Sequence, residues 1–369
     1  MRFGHADGSI VHLAYCTNVH PAEDLPGIHA QLAGPCARVR ALLGAERLGV
    51  GLWLSRGVAA TLAADAAELA GLRTALDRLG LEVVTLNGFP YQGFQQEVVK
   101  YRVYEPDWGT PERLRYTLDL ADVLAGLLPA DVGEGTISTL PLTWRTAWSP
   151  DTAVAVSQQL AALAAGLRER AERTGKVIRV GFEPEPGCVV ETTGQARALL
   201  PLGVAGHELL GVCLDACHLA VGFEEPPDLT LPIVKLQASC ALESPPGAQA
   251  ELARFDERRF LHQTRSASGF TDDLGEALAG ALPAEETWRV HFHLPLHAEL
   301  PPPLTTTRGY LRRLLAALLA GPAPLTRHVE VETYTWSVMP GERRDVAECV
   351  AAELDWTRRE LVALGLKEL

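Results

Sequence analysis

The chain has 369 residues, 47% of them hydrophobic and 21% charged, which is ample material for a large core and too apolar for a disordered segment. A net charge of −13, with no sustained basic block, argues against a nucleic-acid partner held through its phosphates, and leaves a small anionic substrate open. The length fits either one large (β/α)8 barrel, since such barrels commonly run to about 250 residues and beyond, or two domains.

In chain order, short apolar strands alternate with Ala/Leu-rich helices. Ile10 to Cys16 reads as a first strand, and Leu25 to Leu43 as a helix punctuated by Gly34-Pro35. Leu48 to Leu54 is a second strand, and Ala59 to Leu79 an amphipathic helix stopped by Gly80. Leu81 to Leu86 is a third strand, opening into the loop from Asn87 to Phe94. Thr110-Pro111 starts a helix that leads to Leu128. Gly135 to Leu140 is a fourth strand, followed by a helix from Ser149-Pro150 to Arg173. Val177 to Phe182, Leu210 to Leu214 and Ile233 to Ala238 are the next three strands. Gln249 to His262 and Thr271 to Leu282 read as helices, Arg289 to Leu294 as a strand, and Thr307 to Leu319 as a helix. Val329 to Tyr334 reads as a last strand and Asp345 to Leu364 as a closing helix.

So regular an alternation predicts parallel strands with crossover helices, and so many units favour a closed barrel. Nine strands are counted where the barrel takes eight. One, near the N-terminus or in a late insertion, is expected outside a single TIM-barrel domain spanning residues 1–369. No G-x-G-x-x-G or P-loop pattern supports dinucleotide or nucleotide binding. Seven irregularly spaced cysteines suit a reducing compartment, and Cys213 and Cys217 lack the second pair of a zinc knuckle. Met1 to Asp7 is too polar for a signal peptide, and no apolar run has the roughly 18 residues of a membrane span. A cytoplasmic protein with no membrane span is expected.

In such a barrel the chemistry gathers at the C-terminal strand ends. The fifth strand ends Glu183-Pro-Glu185, the sixth at Asp215 with His218 three residues on, and the seventh reads Lys235-Leu-Gln237. Beyond them lie His291-Phe-His293 and Glu330-Val-Glu332. A period of two places each of these pairs on one face of its strand, where polar groups are costly unless a metal or substrate satisfies them. Asp215 is equally suited to cap a helix, and Glu185 to lie solvated in a loop. His293 and Glu332 are nearer the strand ends than His291 and Glu330 and are the better ligands. His297 and His328 read as surface residues, and His262 as a packed helical one. Carboxylates with one or two imidazoles suit Mn, Mg, Co or Zn as a divalent cofactor. Such a cation can hold two oxygens of a hydroxy-carbonyl compound and stabilise an enediolate, while Glu183 and Glu332 take and return a proton. Asn18, His20, Asn87, Tyr91, Trp144, Lys235, Gln237 and His291 are expected to contact the small-molecule substrate.

The order Glu, Asp-x-x-His, His, Glu at successive strand ends resembles the xylose isomerase-like TIM-barrel superfamily of sugar isomerases, epimerases and endonuclease IV. More narrowly, Tyr15-Cys-Thr-Asn-Val-His20, Leu86-Asn-Gly-Phe-Pro-Tyr91, Ile137-Ser-Thr-Leu-Pro141, Glu183-Pro-Glu-Pro-Gly187, Val290-His-Phe-His293 and Glu330-Val-Glu-Thr-Tyr-Thr-Trp336 resemble the EboE metabolite traffic family. The superfamily resemblance implies a metal held by Glu183, Asp215, His293 and Glu332, with His218 a ligand or near neighbour. Gln237 departs from it, because a typical member has a His on that strand. The EboE resemblance implies handling of a secondary or prenylated metabolite beside partner enzymes of one gene cluster. Three functions follow as expectations: a metal-dependent isomerase or epimerase of a polyhydroxylated carbonyl compound, a metabolite-binding or trafficking protein, and an endonuclease IV-like phosphodiesterase. The acidic charge weighs against the last.

Overall fold

A computed structural model describes residues 1–225, 227–341 and 345–369. Eight strands form the barrel: β1 Ile10–Cys16, β2 Leu48–Trp53, β3 Thr85–Asn87, β4 Glu134–Thr139, β5 Val177–Phe182, β6 Leu210–Asp215, β7 Ile233–Ala238 and β8 His328–Val331. Each pairs in parallel with the next, and β8 pairs back with β1 to close the ring. Helices lie between the strands, so the chain is a (β/α)8 TIM barrel. β2 is buried along its whole length, as expected of a parallel strand covered on both faces. The long helix Pro150–Thr174 starts where the Ser149 hydroxyl accepts the Thr152 N–H at 3.1 Å, and it ends at Gly175, whose φ is 69°. Two antiparallel strands, Arg2–Gly4 and Lys367–Glu368, continue the sheet beyond β1.

The ninth strand of the sequence is a late insertion. Trp288–Val290 sits in a separate five-stranded antiparallel sheet, with Thr264–Arg265 and Leu242–Ser244 as its neighbours. The sheet lies within the excursion between β7 and the helix Arg308–Leu319, so β8 directly follows β7 in the barrel. This corrects the strand order: His291 and His293 do not stand on a barrel strand, but follow the central strand of the insertion.

Other expectations also change. Gln249 to His262 forms only a short 3-10 turn, Gln249–Phe255. Glu257 then accepts the N–H groups of Arg259 and Phe260 at 2.6 and 2.9 Å and bends the chain out of a helix. Thr271 to Leu282 contains only the turns Leu274–Glu276 and Ala277–Ala281. The second helix breaks at Asp65, whose carboxylate caps Ala66–Leu79 through Ala67 and Glu68. His328 is buried rather than on the surface, stacked on His12 across the β8–β1 register with centroids 5.6 Å apart, and His297 is half-buried beside Trp336. None of the seven cysteines forms a disulfide, and among the described residues no helix is long and apolar enough to cross a membrane.

Inside the barrel Lys235 and Glu330, both wholly buried, pair at 2.5 Å. Lys235 also lies 3.3 Å from Ser138 Oγ. Gly51 on β2 makes the room: a Cβ there would fall 1.3 Å from Glu330 Oε1.

Candidate metal centre

Asp215 does two things at the end of β6. Its Oδ1 accepts the His218 N–H at 3.0 Å, capping the short helix Ala216–Val221, and the Ser239 hydroxyl at 2.7 Å. Its Oδ2, buried, has no hydrogen-bond partner. The helix-capping and metal-binding readings of Asp-x-x-His are therefore compatible, one oxygen for each. Glu183 Oε2 and Glu185 Oε2 are likewise buried and unpartnered. Glu332 is held differently: the Asn18 and Asn87 amides both donate to its Oε1, at 2.7 and 2.8 Å.

Three imidazoles complete the centre, and their tautomers follow from their neighbours. His218 Nδ1 faces the Pro184 carbonyl at 3.2 Å and His293 Nδ1 the Glu332 carbonyl at 2.8 Å. Carbonyl oxygens only accept, so both Nδ1 atoms carry the proton. His291 Nδ1 donates to Gln263 Oε1 at 2.7 Å, an orientation fixed because Gln263 Nε2 donates to the Pro186 carbonyl at 3.0 Å. The three Nε2 lone pairs are thus left pointing inward, His218 to His291 at 3.0 Å and His291 to His293 at 3.2 Å. With no proton between them these lone pairs repel, and a cation relieves this. The outer Nδ1 bonds are those that orient metal-bound histidines.

Charge points the same way. Burial holds His218 neutral, with its pKa down at about 4, and lowers those of His291 and His293. Burial, together with the neighbouring carboxylates, pushes Glu183 and Glu332 well above the usual carboxylate range. Burial raises Glu185 to about 8 against the hydrogen bond its Oε1 takes from Tyr104 Oη at 2.6 Å. Donor atoms of Glu183, Asp215 and Glu332 lie within 4.8 Å of one another, as do those of Asp215, His218 and His293, and of Glu185, His218 and His291. The donor set therefore fits a divalent cation, and neutral imidazole with carboxylate suits borderline metals.

The cavity above the centre has a volume of ≈ 50 Å³ and is lined by Glu183, Glu185, His218, His291, His293 and Glu332. Apolar and aromatic side chains also line it: Phe89, Phe94, Val99, Phe260, Leu261 and Tyr334. Two excursions meet over it: the N–H groups of Val99 and Lys100 donate to the Arg259 carbonyl at 2.8 and 2.9 Å, and Phe94 packs on Phe260.

Of the residues expected from sequence, Glu183, Asp215, His218, His291, His293, Glu332, Asn18 and Asn87 come together here. The rest do not line the cavity. His20 packs on Tyr15, and Tyr91 lies against Tyr116 and Arg113. Trp144 stands behind Tyr104 with centroids 4.7 Å apart, over Gly187, where a Cβ would meet its ring at 2.1 Å. Lys235 is paired with Glu330 below the centre. Gln237, in register with Asp215 and Glu330, is buried with neither amide atom bonded. Tyr104, Gln263 and Tyr334 were missed. Only Tyr334 carried a signal, two residues after Glu332; the others reach the site from loops with no periodicity.

Glu353, on the closing helix Val346–Ala363, clamps the two arms that carry His293 and Glu332. Its Oε1 accepts the Thr333 hydroxyl at 2.6 Å and the Leu296 N–H at 3.1 Å. Burial raises its pKa from 4.5 to about 7 against these bonds. A raised folded pKa means that the folded state holds the extra proton between these values. This contribution to stability is full below pH 4.5 and is lost as the pH rises through 7. Glu353→Gln is expected to flatten the fall in urea stability between pH 5 and 8 by on the order of 1–3 kcal/mol. Parallel pH profiles for the two proteins would refute the assignment.

No protein-family model matches the chain, and no curated protein does. Solved structures do. A candidate sugar phosphate isomerase/epimerase of Anabaena variabilis is 15% identical with a TM-score of 0.50, over 96% of this chain and 100% of that one. An IolI protein with a bound zinc atom is 12% identical with a TM-score of 0.49, over 95% and 98%. A xylose isomerase domain containing protein of Salmonella typhimurium is 11% identical with a TM-score of 0.42, over 97% and 99%. The Anabaena likeness shows a shared barrel fold.

Proposed function

We propose that this protein is a divalent-metal-dependent isomerase or epimerase of a small, polyhydroxylated carbonyl compound. The observation that carries the reading is the convergence of three imidazole Nε2 atoms on buried carboxylates whose free oxygens have no other partner. Glu183, Asp215, His293 and Glu332, with His218 beside them, would hold Mn, Zn, Co or Mg. When bound, the cation would act as a Lewis acid on a substrate oxygen. Glu332, fixed through Oε1 by Asn18 and Asn87, keeps its second oxygen outside those bonds for a substrate proton. Glu183, from a strand across the barrel, serves the opposite side of the same carbon.

The test is hydrogen exchange in D2O. Metal-loaded protein, offered a panel of ketoses, aldoses and smaller hydroxy-ketones, is expected to place deuterium on the carbon next to the carbonyl of at least one, as read by NMR. No incorporation into any of them would overturn the enzymatic reading. It would favour a metabolite-binding or trafficking role of the EboE type, working beside partner enzymes, for which the unbonded Gln237 and the apolar lining already speak.

A further inference from the structure

The cavity at the metal centre is nearly shut. At ≈ 50 Å³ it has room for about three to five water molecules, at roughly 10–15 Å³ each. Sites that bury a small molecule commonly span about 300–1,000 Å³. A ligand of more than a few heavy atoms therefore enters only if a wall moves.

One wall is thin. Residues 94–103 lie in the loop between β3 and the helix Pro111–Leu127. On one side Phe94, Val99 and Val103 line the cavity; on the other Val98, Val99 and Arg102 line an open cleft of ≈ 670 Å³. Val99 borders both spaces and divides them.

Little holds this wall in place. Its one regular element is the 3-10 turn Lys100–Tyr104, and among the described residues no strand pairs with it. Across the seam to the insertion, the Val99 and Lys100 N–H groups share a single acceptor, the Arg259 carbonyl. The Lys100 ammonium reaches the Glu257 carbonyl at 3.2 Å and pairs with Asp273. Phe94 packs on Phe260 and Tyr334, with centroids 5.3 and 5.1 Å apart. The outer pair Glu97–Arg258 is exposed on both sides and contributes little in water. On the barrel side Gln95 Nε2 donates to the Asn18 carbonyl at 2.6 Å.

We infer that residues 94–103 are a gate, which parts from Arg259 and Phe260 to join the metal cavity to the outer cleft and so admits the ligand. Both ends of the segment are anchored. Gly93, at φ 72°, donates its N–H to Glu23 Oε2 at 2.8 Å, and Tyr104 is tied to Glu185. Lys100 is held at φ 43°, in the left-handed region that a residue with a Cβ enters at a cost, so the shut form carries strain that opening relieves. The gate follows from the size of the cavity, and holds whether the centre catalyses a reaction or only binds.

The test is amide hydrogen exchange on the full-length, metal-free protein, read residue by residue by NMR. The Val99 and Lys100 amides are expected to exchange on the order of 10³-fold faster than those of β7. Low urea is expected to leave their rates unchanged, because a local opening exposes little surface. Exchange as slow as in β7, rising with urea in parallel, would overturn the gate. Phe94→Ala, which removes the seal on Phe260, is expected to speed both amides by about tenfold. No change in that variant would mean that the clasp frays without the seal opening, and would also overturn it. Removal of Co²⁺ from the loaded protein by EDTA is expected to accelerate by a similar factor in Phe94→Ala, and an unaltered rate would contradict this route of entry. Protein that binds no cobalt would fail the metal reading, while the exchange rates would still decide the gate.

Discussion

Glu332→Gln is expected to lower substrate hydrogen exchange by about 10²- to 10⁴-fold, the usual worth of a positioned general base, with the fold unchanged. The amide keeps the shape of the carboxylate and an oxygen for the Asn18 and Asn87 donors, now 2.7 and 2.8 Å from Oε1, so the loop is not released. What it loses is basicity. Loss of exchange with an unaltered circular dichroism spectrum and unaltered metal content separates a proton carrier from a metal ligand or a structural residue. Exchange within a factor of two of the wild type would remove Glu332 from the reaction and leave Glu183 as the remaining candidate.

The second large effect is on stability. Lys235→Met leaves Glu330 buried without its cation, in a space shaped by Gly51 to fit a carboxylate. Breaking a buried pair from one side costs about 3–5 kcal/mol, whereas replacing both partners by apolar groups is often close to neutral. The double variant Lys235→Met/Glu330→Leu is therefore expected to be more stable than Lys235→Met alone. Urea midpoints of the three proteins give the comparison. If the double variant is no more stable than the single, the penalty does not come from the stranded Glu330 carboxylate.

That pair also marks how far the sequence could be read. A period of two puts Lys235 with Gln237, and Glu330 with Glu332, on one face of their strands. Periodicity does not give depth along the barrel axis, however. Lys235 and Glu330 lie a level below the cavity and satisfy each other, while Glu332 reaches it. The alternation of strands and helices made the barrel legible, and Asp215 and His218 stood out because a strand end and a helix cap coincide there. The histidines were recognised but assigned to a barrel strand. A short apolar run looks alike whether its neighbours are parallel or antiparallel, and only the pairing of Trp288–Val290 with Thr264–Arg265 and Leu242–Ser244 tells them apart. The strand that carries Gln237 leads into the insertion that supplies His291 and His293. Tyr104 and Gln263 reach the centre through long loops, where no local pattern reports the tertiary contact.

Elemental analysis of the purified protein, beside Asp215→Ala/Glu332→Ala, tests the metal centre most directly. Asp215 offers an unpartnered Oδ2 and Glu332 closes the same carboxylate group, so removing both dismantles the metal centre. Bound Mn, Co or Zn is predicted in the wild type, with content lower by about one equivalent in the variant, roughly the per-site loss expected when ligands are removed. A wild type that holds no divalent metal after soaking in all three, or a variant that holds as much as the wild type, would contradict the metal centre as built here.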